Sequence, residues 1–144
     1  MGAFYYIGQK ERSYHFVNGL FILTILLVLL YSFLFTGTTH PIPALLTEVT
    51  GIIPPSKGLS QSFSEIVRGN LSNAENINPY SVRVFFFFAI QLLLRIFFSL
   101  LIRIKPGKIK VLALSDSAIS AAFFFWSFAP LITYTLYTFR NLVL

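Results

Sequence analysis

The chain has no cysteine at all and carries only five acidic residues among 144. Without thiols there is no disulfide framework, no thiolate metal site and no cysteine nucleophile. Charged residues make up 11% of the sequence, too few to cover the surface of a soluble domain of this length. Catalytic signatures are missing as well. There is no Gly-x-Ser-x-Gly, no His-Glu-x-x-His, no phosphate-binding Gly-rich loop and no pair of carboxylates close in sequence. His15 and His40 flank opposite ends of the first apolar run and cannot share a metal ion. The sequence therefore predicts no catalytic residue, no metal ligand, no cofactor and no small-molecule substrate. Eleven basic residues leave a net charge of +6, but they gather at the ends of apolar runs. There they set membrane orientation, which argues against a nucleic-acid surface.

What the chain has in abundance is apolar bulk: 56% hydrophobic residues, 17 Phe and a mean hydropathy of +0.75. These residues form long runs separated by short polar segments, the pattern that a bilayer selects. The expectation is an all-α membrane protein, one integral domain over residues 1–144, with three transmembrane helices. The first covers about residues 16–35, FVNGLFILTILLVLLYSFLF, long enough at 1.5 Å per residue to cross a hydrocarbon core of about 30 Å. Lys10 and Arg12 precede it and no Ala-x-Ala site follows, so it is expected to be a retained signal anchor.

Residues 36–79 turn to Gly, Pro, Ser, Thr and Asn. Inside this loop a short amphipathic helix is expected over about residues 60–68. Ser62 and Glu65 stand at capping-box spacing, Gly69 sits where a helix stops, and Leu59, Phe63, Ile66 and Val67 share one stripe. Such a helix lies flat at the membrane surface or caps the spanning helices, or else it is a re-entrant or simply packed loop helix. Asn78 and Pro79 open a second span, about residues 81–102, and a basic Pro-Gly turn over residues 103–110 leads into a third, about 111–139. Pro130 is placed to kink it, Tyr134 and Tyr137 suit an interfacial belt, and mid-span Trp126 is expected to pack against protein. Lys10, Arg12, Arg103, Lys105, Lys108 and Lys110 fall on one side, against Lys57 and Arg68 in the long loop. Positive charge stays cytoplasmic, which predicts the N-terminus inside and the long loop and C-terminus outside.

One guanidinium sits where nothing polar belongs. Arg95 lies eight residues before Arg103, and Asp116 six residues after Lys110 on the returning helix. Their depths, about 12 and 9 Å from the turn, match. The two are expected to form an intramembrane ion pair, because an unpaired charge there costs roughly 2.5–3.5 kcal/mol. Gln91 stands one turn from Arg95, and Ser115, Ser117 and Ser120 surround Asp116. Ala113, Ser117 and Ala121, with Ala118 and Ala122, give small-residue rows suited to close helix packing.

The long loop carries a resemblance. Thr50-Gly51, Pro55, Gly58-Leu59, Gly69-Asn70-Leu71, Ala74 and Asn78-Pro79 fall in step with the signature of a family of small bacterial membrane proteins, domain of unknown function 2752. That signature contains cysteines where this chain has His40, Pro54 and Lys57, and Thr-Arg where it has Ser60 and Gln61. A divergent member lacking the thiols keeps only the frame: Gly51, Pro55, Gly58, Gly69, Asn78 and Pro79. The resemblance implies a bacterial cytoplasmic membrane and no particular reaction. Two functions remain open: a non-catalytic accessory or structural subunit that packs against larger membrane subunits and lipid, or a small transport or channel component using the Arg95–Asp116 layer. Aromatic-rich helices with few polar residues favour the first.

Overall fold

The computed structural model describes residues 2–35 and 54–143, and among these there is no strand. Five helices follow in order: α1 (Gly2–Leu34), α2 (Leu59–Val67), α3 (Leu71–Ile77), α4 (Ser81–Ile104) and α5 (Ile109–Val143), with a 3-10 turn at Pro106–Lys108 between the last two. Three segments are long and apolar enough to cross a bilayer, Gly8–Leu34, Ser81–Ile104 and Pro106–Thr138. The shortest has 24 residues, about 36 Å of helix, which spans the hydrocarbon and enters the interfaces. Helices satisfy their own backbone groups where no water can, so an all-α architecture is what lipid demands. The protein is a multi-pass all-α membrane protein.

Its side chains are distributed inside out relative to a soluble fold. Leu23, Leu27, Leu93, Leu100 and Phe125 are more than half exposed, whereas Asn18, Ser32, Ser81, Gln91, Asp116 and Ser127 are buried. Lipid solvates the leucines, so polarity is what the helices hide from it. α1 and α5 both pack on α4, and α1 also touches the 3-10 turn. The start of α1 and the α4–α5 turn thus lie at the same end of the bundle.

At the opposite end, α2 packs over α1 and α4. Phe63 of α2 joins Val84 and Leu131 in a buried cluster, with edge-to-face contacts to Phe85 and Phe88 at 5.4 and 6.0 Å between ring centroids. The same helix closes the end of α1. Arg68 Nη2 donates to the Phe33 carbonyl at 2.8 Å and Nη1 to that of Ser32 at 3.4 Å, while Ser64 Oγ donates to the Phe35 carbonyl at 2.7 Å. The last carbonyls of a helix have no intrahelical donor, and a guanidinium there also complements the negative end of the dipole.

The boundaries of α2 differ by one residue from the expected 60–68, and its start has another cause. Gly58, at φ 80°, takes the left-handed N-cap position directly before Leu59. Ser62 and Glu65 do not form a capping box. Ser62 lies inside the helix with its hydroxyl on the Ala74 carbonyl at 3.0 Å, and the Glu65 carboxylate accepts the Asn70 and Asn73 amides at 3.1 and 3.0 Å. Gly69 does stop the helix. At φ 84° it donates to the Ile66 carbonyl at 2.9 Å while the Asn70 N–H reaches that of Glu65 at 2.9 Å, the Schellman pattern. α3 has no counterpart in the sequence reading, because its seven residues bury only Ala74 and show no apolar period. Asn78 then ties the corner together. Its side-chain amide donates to the carbonyls of Pro55 and Lys57, both at 2.9 Å, and its Oδ1 accepts the Tyr80 N–H at 2.9 Å, leading into α4. Gly51, His40 and Glu48 lie outside the described residues.

The two left-handed glycines differ in surroundings, and this separates strain from crowding. A Cβ at Gly69 meets nothing within 4 Å, but one at Gly58 lies 2.8 Å from Ile77 Cγ2. Gly69→Ala is expected to lower stability by about 1 kcal/mol from backbone strain alone, and Gly58→Ala by clearly more, measured as thermal unfolding in detergent.

The bonds from Asn73 and Asn70, with Arg68 nearby, hold the Glu65 carboxyl below its ordinary value of 4.5. Because the folded value is the lower one, Glu65 stabilises the corner at neutral pH. That contribution is lost as acid drops the pH below 4.5 and through the folded value. Melting followed from pH 7 downward is expected to show a smaller acid loss for Glu65→Gln than for the native chain.

Candidate functional site

Near the basic end of the bundle, all three spanning helices contribute polar side chains to one cluster. Arg95 is nine residues from the end of α4 and Asp116 seven residues into α5, depths of about 14 and 10 Å. Arg95 Nη1 donates to Asp116 Oδ2 at 2.7 Å, and the Asp116 side chain is 1% exposed. Neighbouring side chains also bond to both groups. Arg95 Nη2 donates to Gln91 Oε1 at 3.1 Å, one turn back on the same helix, and to the hydroxyl of Ser120. Ser120 in turn faces Asp116 Oδ1 at 3.4 Å.

The third wall comes from α1. The Tyr14 hydroxyl donates to Asp116 Oδ2 at 2.6 Å. Asn18, 2% exposed, accepts from Arg95 Nη1 at 3.2 Å. Its own amide donates to the Arg95 carbonyl and to Ser99 Oγ, both at 2.8 Å. Phe21, on the next turn, covers the guanidinium with its ring centroid 5.4 Å from Cζ. Opposite charges thus cancel at one depth, and four neutral side chains, Tyr14, Asn18, Gln91 and Ser120, bond to the pair. A buried pair is tolerable only when its spare lone pairs and protons are met in this way.

Of the residues singled out from sequence, Arg95, Asp116, Gln91 and Ser120 converge. Ser117 and Ala121 do not. Both are exposed, as are Ala118 and Ala122, so that row faces away from α1 and α4. Trp126 also points outward, 57% exposed, rather than into protein. Gly58, Gly69 and Asn78 shape the α2–α3 corner, Pro55 supplies a carbonyl to it, and Pro79 is exposed in the turn before α4. His15 lies 3.7 Å from Glu11 on its own helix.

Tyr14 and Asn18 are the residues that sequence reasoning missed. Their signal is present: Asn18 is the one amide inside the first apolar run, and Tyr14 stands one turn before it on the same face. The Asp116 carboxylate is fully engaged, while the Gln91 amide nitrogen is buried without a partner among the described residues. Each carboxylate oxygen already has a donor, and among the described residues no group of three or more His, Cys, Asp or Glu could hold a metal.

Asp116→Ala strands the guanidinium and is expected to cost about 3 kcal/mol of stability in lipid or detergent. The double change Arg95→Leu with Asp116→Leu is expected to cost less than the single one, and Tyr14→Phe about 0.6 kcal/mol. Thermal melts of the purified variants decide this, and equal damage from the single and double changes would count against the pairing. Comparison with family models, with curated proteins and with solved structures finds no match for the chain.

Proposed function

We propose that the chain is a non-catalytic structural subunit of a larger membrane complex, with the charge cluster as an internal clamp and an outer face of α5 as its docking surface. The observation that carries this is what α5 leaves uncovered. Along its described side chains only Ile109, Asp116, Ser127 and Leu131 are buried. Ser117, Ala118, Ala121, Ala122 and Phe125 form one continuous exposed face. Small side chains let helix backbones approach closely, and that is how helices associate where no hydrophobic force drives them together. An aromatic at the end of such a face gives a partner helix something to pack against.

The engaged carboxylate supports the clamp. A relay needs a titratable group with somewhere to pass its proton, and both carboxylate oxygens of Asp116 are engaged, by Tyr14, Arg95 and Ser120.

The setting follows from charge and from the loop. Lys10 and Arg12 on α1 share an end of the bundle with the exposed Arg103, Lys105, Lys108 and Lys110. Positive charge at one end favours an N-terminus in the cytoplasm and the α2–α3 corner outside. The loop's resemblance to domain of unknown function 2752 favours the cytoplasmic membrane of a bacterium.

Gentle extraction followed by identification of bound proteins tests the reading. A larger membrane subunit is expected to co-purify in fixed proportion, and Ser117→Phe with Ala121→Phe is expected to release it while leaving the melting temperature of the isolated chain unchanged. Purified chain that alone conducts protons or ions across vesicles, with loss of flux in Asp116→Asn, would replace the subunit reading with the transport one.

A further inference from the structure

At the other end of the bundle, α4 and α5 present a second charged side chain on the side that faces lipid. There a groove of about 510 Å³ runs between α3, α4 and α5. Its deeper walls are apolar, formed by Phe86, Ile90 and Phe123, while Glu75, Arg83 and Trp126 line it nearer the end of the helices. Arg83 is the third residue of α4 and Ile90 lies seven residues further along, so the groove descends about 10 Å from the interface into the hydrocarbon.

Among the described residues Arg83 makes no ion pair. Its guanidinium lies 4.2 Å from the centroid of the Trp126 ring, a cation–π contact that fixes its position while leaving its charge intact. Its Nε is buried, and among the described residues it has no hydrogen-bond partner. A guanidinium so placed calls for an oxyanion, and its fork geometry matches phosphate. Glu75, on α3 at the same mouth, supplies the opposite charge and is exposed. Arg83 and Arg95 thus differ in kind. One is cancelled within the chain, and the other faces a groove that opens to lipid.

We propose that this groove binds a phospholipid with an ammonium headgroup, phosphatidylethanolamine being the simplest. The phosphate meets Arg83, the ammonium meets Glu75, and an acyl chain lies along Phe86, Ile90 and Phe123. Charge complementarity selects this occupant. An anionic headgroup without an amine satisfies Arg83 but brings its negative charge against Glu75. A detergent or diacylglycerol fills the walls and leaves both charges unmatched.

Native mass spectrometry of the purified full chain, with phosphatidylethanolamine and phosphatidylglycerol offered in equal amounts, tests it. The native chain is expected to retain one phosphatidylethanolamine about tenfold more than phosphatidylglycerol. Arg83→Ala is expected to lose that adduct, and Glu75→Gln to keep a bound lipid but lose the headgroup preference. Leu93→Ala, on a lipid-facing site outside the groove, is expected to change nothing. Equal retention of the two lipids by the native chain would overturn the proposal, as would an unchanged adduct in Arg83→Ala. Should Arg83→Ala fail to fold, Glu75→Gln decides alone, since an unaltered preference in that exposed variant is equally fatal.

Discussion

The bundle depends on one electrostatic constraint: a guanidinium and a carboxylate placed where lipid solvates neither. Arg95 can remain charged at its depth only if Asp116 stands within hydrogen-bond reach, and 2.7 Å meets that condition. This fixes the register of α4 against α5, because sliding either helix by one turn moves a charge by about 5.4 Å. α1 is bound by the same demand. The spare valences of the pair need Tyr14 and Asn18, so the first helix packs where those two side chains can reach. Apolar contacts alone do not choose a register in a bilayer, since lipid tails compete for them on equal terms.

At the far end the constraint changes from charge to backbone. A spanning helix that stops exposes carbonyls, and α1 stops where Arg68 and Ser64 can answer them. The corner of α2 and α3 is in this sense a lid on α1, held shut by Asn78 and by the left-handed turns at Gly58 and Gly69. Contacts with α1 and α4 put α2 over the ends of the spans.

Much of this was legible because a bilayer writes its demands plainly. The three apolar runs announce three helices, and a lone Arg with a lone Asp at matched depth announces their contact. Two kinds of detail were not legible. The signal of Tyr14 and Asn18 is not decisive by itself, because polar residues near the start of an apolar run are ordinary until a partner faces them. Spacing identifies Ser117 and Ala121 as a small-residue face for helix packing without saying which neighbour it meets, and both are exposed. α3 was missed for a simpler reason. Seven residues with one buried alanine carry no periodic signal, and Asn78 and Gly58, contacts distant in sequence, hold them in place.

The central claim is a direct contact between two atoms groups inside lipid, and Asp116 is the chain's only aspartate. Labelling aspartate carboxyls with carbon-13 and arginine guanidinium groups with nitrogen-15 therefore isolates a single carboxyl, whose dipolar coupling can be read by solid-state NMR in phospholipid bilayers. A strong coupling that disappears in Arg95→Lys is the expected result. A carboxyl signal with no nitrogen within contact distance, in a chain that is otherwise folded, would contradict it.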